Sequence, residues 1–367
     1  MNRRLWAREL TPYGNSVTDS GCPPFLPALP LPLLASPDRA KGCGRDPTMT
    51  FITSMIETQN SLTLGWLSEA QFDEAARLIH TSLASWYGRH LNQPDRFGGA
   101  WEPFLIFPEV YEALDPGCAV TVRDPLTQRL LGICFYHPRP SHLSVGIVVT
   151  HPAAGGRGVA RAMIEKVLAL ADSSNLPVRL VSSLMSLDSF SLYTRLGFIP
   201  GTVFQDLQFP PGKLPPLVKV PWTIRPMLEA DVPAMVELEE RLTGIRREQD
   251  FAFFVKNHRQ MWHTLVLTGP NGNGIRGFLG SIVHGGTQML GPGLMQTEEE
   301  ALALITAQLH HHAPGNPVIL VPVRAAGLVA SLYRAGARNV ELHVAQVRGT
   351  GREPEGIVIP TFLPESG

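Results

Sequence analysis

The chain has 367 residues, a formal net charge of −1 and 44% hydrophobic residues. This length predicts two domains, and the balanced charge gives no support for nucleic-acid binding. The sequence contains no apolar run long enough to span a membrane, so no membrane partner is expected. The four cysteines are Cys22, Cys43, Cys118 and Cys134, and their spacing fits neither a zinc site nor a disulfide framework. We interpret them as reduced thiols and predict a cytoplasmic protein.

The N-terminal residues 1–59 differ from the rest of the chain, because prolines are dense between Gly21 and Pro37. Proline blocks helices and central strands, so a disordered extension is predicted. A signal peptide is a second interpretation, since early arginines precede an apolar patch, but the prolines count against it. Met49 and Met55 are alternative translational starts, which would leave the extension untranslated.

Strand and helix patterns follow one another from residue 63. A short strand at 63–66 precedes a helix that Ser68 caps, and the aromatic residues 86–117 are predicted to be irregular. Three strands of a predicted antiparallel meander come next, at 118–123, 129–136 and 142–149.

A glycine-rich loop at residues 151–158 ends the meander and leads into a helix predicted over 158–172. A strand at 178–183 and a short helix at 188–196 follow, and Gly197 suits the left-handed position after that helix. Strand, helix and strand in this order imply one parallel strand pair within a sheet that begins antiparallel.

The glycine loop and the helix after it together predict an anion site. Glycines allow several backbone N–H groups to point inward, and the N-terminus of a helix adds partial positive charge. A pyrophosphate is the natural ligand of such a site. The sequence has neither the Lys-Ser/Thr of a P-loop nor the glycine spacing of a dinucleotide fingerprint.

Residues 60–205 resemble the GNAT superfamily of N-acetyltransferases in two motifs. The first is the segment from Val149 to Ala160, which is similar to the coenzyme A loop of that family. Gly158 and Ala160 fill two of its defined positions, whereas Gly155 stands where the family has arginine or glutamine. This departure removes one side chain but leaves the backbone amides that hold phosphate.

The second motif is similar to a family helix that follows the coenzyme A loop. Tyr193, Gly197 and Phe198 match its pattern. Ser186 replaces the usual asparagine, which touches the pantetheine arm in the family, and Ser189 replaces an alanine. The two motifs occur in the family's order, with the expected helix and strand between them.

The resemblance implies an α/β fold of α+β type, with two tandem GNAT-like domains, each a mixed, mostly antiparallel sheet flanked by helices. The opening of the second domain at Thr223 is similar to the opening of the first at Thr63, which indicates a duplication. The predicted organisation is an extension at 1–59, a catalytic GNAT domain at 60–207, a Pro-rich linker at 208–221, a degenerate GNAT-like domain at 222–350 and a C-terminal tail at 351–367.

The resemblance also implies acetyl-CoA as co-substrate and no metal. In the family, amides of a splayed strand and of the loop hold the cofactor, and a tyrosine protonates the departing thiolate; Tyr193 matches that tyrosine. The cofactor-binding residues implied are Ile147, Val148, Val149, Gly155, Gly156, Arg157, Gly158, Val159, Ala160, Arg161, Ser186, Ser189 and Tyr193. A phenol suits proton donation, because its pKa of roughly 10 is near the value of about 8.5 for a thiol. The alternative roles are a core residue for Tyr193 and a simple turn for the glycines.

No general base is evident in the sequence. The candidates His137, His142, His151, Glu109 and Glu112 each fit a surface or packing role better. The acceptor amine would then lose its proton to ordered water.

The second domain is predicted to lack this chemistry. The segment Leu290–Met295 is interpreted as the counterpart of the glycine loop, and its Pro292 removes a backbone donor. Leu332, not Tyr333, lies four residues before Gly336 in the final helix. The second domain is therefore expected to be structural or to form a wall of the acceptor site.

Acetyl transfer to the primary amine of a small-molecule or peptide acceptor is the predicted function. A non-catalytic coenzyme-A-binding sensor or scaffold is the alternative, supported by the departures at Gly155 and Ser186. Three consecutive histidines at 310–312 suggest a metal, but consecutive helical residues point in different directions, so a solvated helix end is expected.

Overall fold

The computed structural model describes residues 62–269, 272, 274–313 and 315–364. The predictions for residues 1–61, namely the extension, the signal peptide and the alternative starts, lie outside the described residues. No helix in the described ranges is long and apolar enough to cross a membrane. We call residues 62–208 the first half and residues 223–348 the second half.

The first half begins with a strand and two helices and continues with the predicted meander. Its elements are β1 (Thr63–Trp66), α1 (Phe72–His90), α2 (Ile106–Leu114), β2 (Ala119–Arg123), β3 (Leu130–Pro138), β4 (Leu143–Thr150), α3 (Val159–Ser173), β5 (Val178–Ser183), α4 (Leu187–Arg195) and β6 (Ile199–Gln208). The apolar face of α3 packs closely on the sheet at Gly132, where a Cβ would stand 2.5 Å from the Val159 side chain.

The second half repeats this order of elements. They are β7 (Thr223–Pro226), α5 (Val232–Thr243), α6 (Glu248–Lys256), β8 (Leu265–Thr268), β9 (Ile275–His284), β10 (Thr287–Met295), α7 (Glu298–His311), β11 (Val318–Pro322), α8 (Ala326–Arg334) and β12 (Arg338–Arg348), and β13 (Ile357–Ile359) follows in the tail. The predicted fold class of two tandem, mostly antiparallel GNAT-like units is confirmed.

The aromatic segment 86–117 is not irregular as predicted. Helix α1 continues to His90, and α2 forms from Ile106. Pro108 is compatible with α2, because it lies in the first turn, where its missing N–H is not needed. Buried Phe107 and Tyr111 are four residues apart, so they share the helix face that packs into the core.

The two halves exchange their last strands. The sheet order is β1-β2-β3-β4-β5-β12-β6-β11-β10-β9-β8-β7. Strand β12 of the second half pairs with β5, and β6 of the first half pairs with β11. The two exchanged strands pair with each other, with Glu341 opposite Asp206 and His343 opposite Phe204. Each half of the sheet is therefore completed by a strand from the other half.

Strands β4 and β5 are paired only where they begin. The parallel register joins Leu143 to Val178 and Ser144 to Arg179, and no further pair follows. The two strands then separate, so the β5-facing edge of β4 after Ser144 has backbone groups that are not used in the sheet.

The corresponding gap in the second half is filled. Strands β10 and β11 pair at Met289–Val318 and Leu290–Ile319, which is the same short parallel contact. Beyond it, β13 of the tail pairs with β10, and Ile359 lies opposite Gly293. The predicted tail therefore includes a strand, and this strand occupies the gap.

The interpretation of Leu290–Met295 as the counterpart of the glycine loop is wrong. These residues lie in β10, and only Gln296 and Thr297 separate β10 from α7. The glycines of this segment belong to a strand with an irregular register at Leu290/Gly293, which a local pattern of glycines and proline does not distinguish from a loop. Three glutamates, Glu298–Glu300, open α7, and this acidic turn opposes phosphate binding.

Candidate active site

A cavity of about 350 Å³ opens where β4 and β5 separate. Its walls come from both halves of the molecule and from the C-terminal tail. Six aromatic side chains lie along it, which are Trp86, Tyr87, Phe97, Phe107, Tyr193 and Phe362. The cavity therefore combines the open edge of β4 with a largely apolar and aromatic surround.

The predicted strand residues lie on this cavity. Ile147, Val148 and Val149 line it from β4, beyond the point where β4 leaves β5. The edge of a strand that lacks a neighbour presents N–H and C=O groups that an extended ligand can pair with. This edge of β4 is therefore accessible to an extended ligand that carries amide groups.

Tyr193 also lines the cavity, from α4. Its side chain is largely buried, and its ring contacts Phe198 at 5.8 Å between centroids. Its hydroxyl makes no hydrogen bond to any residue that the structure describes. Burial, together with the nearby Cys134 thiol, holds the pKa of Tyr193 above its usual value, so the phenol stays protonated at neutral pH.

The two predicted serines lie beside Tyr193. Ser186 and Ser189 both line the cavity, and the Ser186 hydroxyl donates to the Ser189 hydroxyl over 2.8 Å. Because Ser186 replaces the asparagine of the family pattern, a shorter polar group stands at that point of the wall.

The glycine loop lies outside the cavity, directly after β4. Gly156 and Gly158 have φ angles of +76° and +77°, which favour glycine, and a Cβ at either would meet no atom within 4 Å. The N–H of Ala162 donates to Gly158 O, which begins the hydrogen-bond ladder of α3. The N–H groups of Val159 and Ala160 precede that ladder and stay available at the open end of the helix.

The other loop residues surround this helix end. Gly155 ends a short 3₁₀ turn and has an ordinary φ of −56°. Arg157 forms an exposed ion pair with Asp124 at 3.1 Å, and Arg161 pairs with Glu165 at 2.8 Å on the surface of α3. Both guanidinium groups lie near solvent, and exposed ion pairs are weak. Replacing the carboxylate partner of either arginine by a phosphate would therefore cost little free energy.

The sequence did not predict a polar cluster on the opposite wall of the cavity. Asp206 of β6 and His343 of β12 are joined by a hydrogen bond of 2.9 Å between Oδ1 and Nδ1. The Nε2 atom of His343 lies 3.9 Å from Oε1 of Glu341, which is longer than a hydrogen bond. The Tyr87 hydroxyl donates to the other oxygen of Glu341 over 2.5 Å.

Asp206, Glu341 and His343 are buried and Tyr87 is partly buried, and the protonation of all four reflects this. Burial raises the pKa of Asp206, and the attraction of His343 offsets this only in part. Burial lowers the pKa of His343, but the carboxylates of Asp206 and Glu341 outweigh it, so the pKa lies above its usual value. Burial and Glu341 together raise the pKa of Tyr87. Sequence patterns miss this cluster because Asp206 and His343 are 137 residues apart.

Asp206, Glu341 and His343 are also the one group in the described ranges with three potential metal ligands close together. Asp206 and His343 bond directly to each other, and Tyr87 occupies one Glu341 oxygen. These contacts already occupy Nδ1 of His343, one oxygen of Asp206 and one oxygen of Glu341. The expectation of a metal-free enzyme stays a prediction.

None of the five residues considered as a base lines the cavity. His137 bonds to Asp115 at 2.6 Å. His142 is buried, and burial with the nearby arginines Arg179, Arg247 and Arg139 holds its pKa well below the usual value. The remaining three make surface or loop contacts, which are Glu109 with Arg259, Glu112 with the Gly117 N–H and His151 with Arg129.

The histidines at 310–312 point in different directions, as expected, but they are not all solvated. His310 bonds to Pro215 O, and His311 stacks on His263 with 3.4 Å between ring centroids. His312 bonds to the Ser281 hydroxyl over 2.6 Å and is partly buried. The expected solvated helix end is therefore wrong for His312, because α7 packs on β9 at this point.

The second half has no tyrosine at the position that corresponds to Tyr193. Leu332 is fully buried at the position that corresponds to Tyr193, and Tyr333 lies 42% exposed beside Gln205. This agrees with the expectation that Tyr333 is out of place for catalysis.

The open edge of β4, the cavity and the N-terminus of α3 lie next to one another in the first half and together form the candidate active site. The family model described as "Acetyltransferase (GNAT) family" matches residues 82–198. This match lies within the first half of the chain. No curated protein matches the sequence.

Solved structures support the same fold over most of the chain. A candidate acetyltransferase from Pyrococcus horikoshii is 12% identical, with a TM-score of 0.60, over 81% of this chain and 92% of that one. A GCN5-related N-acetyltransferase from Sphaerobacter thermophilus is 18% identical, with a TM-score of 0.57, over 80% and 96%. A tandem GNAT protein from the clavulanic acid biosynthesis pathway is 15% identical, with a TM-score of 0.52, over 80% and 100%. At these identities the likeness shows the fold alone.

Proposed function

We propose that the protein is an acetyl-CoA-dependent N-acetyltransferase that acetylates the primary amine of a small acceptor by direct attack on the thioester. The observation that carries this proposal is the cavity at the open edge of β4, with Tyr193 on its wall. The catalytic domain would span residues 60–207, and residues 222–350 would form the degenerate partner domain.

The cofactor would lie along β4, from the cavity to the glycine loop. The backbone of Ile147 to Val149 would pair with the pantetheine arm, with Ser186 and Ser189 beside it. The pyrophosphate would bind the free N–H groups at Gly156, Gly158, Val159 and Ala160. Arg157 and Arg161 would exchange their exposed carboxylate partners for phosphate.

The reaction needs a neutral amine, donors for the oxyanion and a proton for the departing thiolate. Free amides of β4 would stabilise the oxyanion after the amine attacks the carbonyl carbon. When the C–S bond breaks, the Tyr193 hydroxyl would give its proton to the sulfur. Because the pKa of Tyr193 is raised, the phenol is fully protonated at neutral pH but gives its proton to the thiolate less readily than an ordinary phenol would.

A coenzyme-A-binding sensor or scaffold is the second candidate, and the serine at position 186 is the observation that favours it. A sensor needs no proton donor and no buried acid–base cluster facing the bound thioester. Tyr193, Glu341 and His343 all line the same cavity, and this arrangement favours the enzyme.

The test measures thiol release from acetyl-CoA with a panel of primary amines, together with calorimetric binding of CoA. The enzyme predicts release that depends on both an amine and the protein. Tight CoA binding with no release for any amine would support the sensor. Absence of CoA binding would refute both candidates.

A further inference from the structure

We propose that His343, oriented by Asp206, is the group that takes the proton from the acceptor ammonium. This inference rests on the proposed function and assigns its base to the second half of the chain. His343 reaches the cavity because β12 is exchanged into the sheet beside β5.

The hydrogen bond to Asp206 selects the tautomer of His343. Nδ1 donates to the carboxylate at 2.9 Å, so the lone pair of the neutral ring lies on Nε2. Nε2 is 3.9 Å from Glu341, so no carboxylate accepts from it directly. The ring is therefore held so that Nε2 makes no hydrogen bond to Glu341. His343 itself lines the cavity.

Glu341 supplies the charge that would hold an ammonium beside that nitrogen. Its Oε2 accepts from Tyr87, which fixes the carboxylate, and its other oxygen stays close to His343. A carboxylate at this distance stabilises the cationic acceptor before transfer and the imidazolium after it. The aromatic side chains nearby suit an acceptor with an apolar body.

The proton and electron balance closes without another reactant. The ammonium gives one proton to Nε2 of His343, and the neutral amine forms the C–N bond at the thioester carbon. The C–S bond breaks, and the sulfur takes the proton of Tyr193. The amide nitrogen then returns a proton to the tyrosine oxygen, and His343 releases its proton to solvent.

The pH dependence follows from the charged groups around the ring. Asp206 from β6, Glu341 from β12 itself, Tyr87 from α1 and Arg96 after α1 are the titratable groups near His343 at this wall. β5 places Ser183 opposite it, and the tail packs the Phe362 ring at 4.9 Å. The two carboxylates dominate, so activity should rise with pH through a value above the ordinary 6.5 of histidine.

The experiment compares His343→Gln, Asp206→Asn and the control His311→Gln, which lies outside the cavity on α7. The probes are acetyl-CoA and the best amine of the panel. We expect His343→Gln to lower kcat by about a hundred- to ten-thousand-fold with an unchanged Kd for acetyl-CoA, and to lose the rising limb of the pH profile. Asp206→Asn should move that limb to lower pH, because the positioning carboxylate no longer favours the imidazolium.

Three results would overturn the inference. Turnover in His343→Gln with the wild-type rate and pH profile would exclude His343 and leave the proposed function standing. Activity that is lost on chelation and restored by one equivalent of Zn²⁺ would make the cluster a metal site instead. Absence of turnover with every amine would refute the proposed function, and this inference with it.

Circular dichroism of the variants separates misfolding from a loss of chemistry. Addition of free imidazole to His343→Ala should restore part of the rate.

Discussion

Ile359 of β13 lies directly opposite Gly293 of β10, in the gap of the second half that corresponds to the cavity of the first. Ile359 is fully buried there. Since the strand edge that would hold pantetheine is already paired, the second half should bind no coenzyme A. Isothermal titration should give one CoA per chain, and a stoichiometry of two would contradict this arrangement.

Gly158 should be essential to that single site. Gly158→Asp places a side chain with negative charge where the pyrophosphate would bind, at a φ of +77°. We expect the Kd for CoA to rise about tenfold or more, since unfavourable charge at a helix N-terminus and lost amide contacts together exceed about 1.4 kcal/mol.

The matched control is Gly158→Asn, which has nearly the same size and tolerates the left-handed region better than most residues. Titration calorimetry on both variants separates charge from shape. Equal affinity of wild type and Gly158→Asp would place the phosphate site elsewhere.

Tyr193→Phe should reduce turnover while leaving the cofactor bound. The ring and its contact with Phe198 are kept, so unfolding should barely change. General acids contribute about a hundred- to ten-thousand-fold, and we expect the low end because a thiolate leaves readily.

The measurement is single-turnover thiol release at saturating acetyl-CoA and amine, with the CoA Kd in parallel. Tyr333→Phe serves as the control, because Tyr333 lies outside the cavity on α8. Full single-turnover activity of Tyr193→Phe would make Tyr193 a core residue.

Arg139 links the halves through a buried ion cluster. It donates to Asp115 of the first half at 2.8 and 2.9 Å and to Asp250 of α6. Arg139→Met leaves these carboxylates without their main cation, so the free energy of unfolding should fall by about 3–5 kcal/mol. The exposed pair of Arg246 with Glu240 is the control, and Arg246→Met should change stability by at most about 1 kcal/mol.

The same cluster gives a pH dependence of stability. Burial raises the pKa of Asp115, but hydrogen bonds and charge from His137 and Arg139 outweigh it, so the pKa is lowered overall. A carboxyl of this kind adds stability that is present above its unfolded pKa of about 3.9 and is lost as the pH falls below that value.

Urea unfolding of wild type and Arg139→Met between pH 7 and pH 3 measures the effect. The difference between the two proteins should shrink as the pH falls below about 4. A difference that stays constant over this range would show that Asp115 does not depend on Arg139.

Local sequence determined the elements that surround the proposed cofactor site. The apolar rows of α3, the glycines with positive φ and the β-branched residues of β4 each leave a pattern over a few neighbouring residues, so their elements could be predicted. Tyr193 is identified by the resemblance of its segment to a family motif, in which it lies four positions before Gly197. The prediction of an irregular segment at residues 86–117 is wrong, because the aromatic residues Phe107 and Tyr111 form the buried face of helix α2.

Only the tertiary structure decided what the second half contributes. The pairing of Asp206 with His343 joins strands that the sequence assigns to different domains, and it exists because β6 and β12 change places. Ile357–Ile359 fills a gap formed by strands far earlier in the chain. Contacts of this range depend on which strands become neighbours in the sheet. Periodicity along the chain encodes the face that each strand buries and carries no information about its partner.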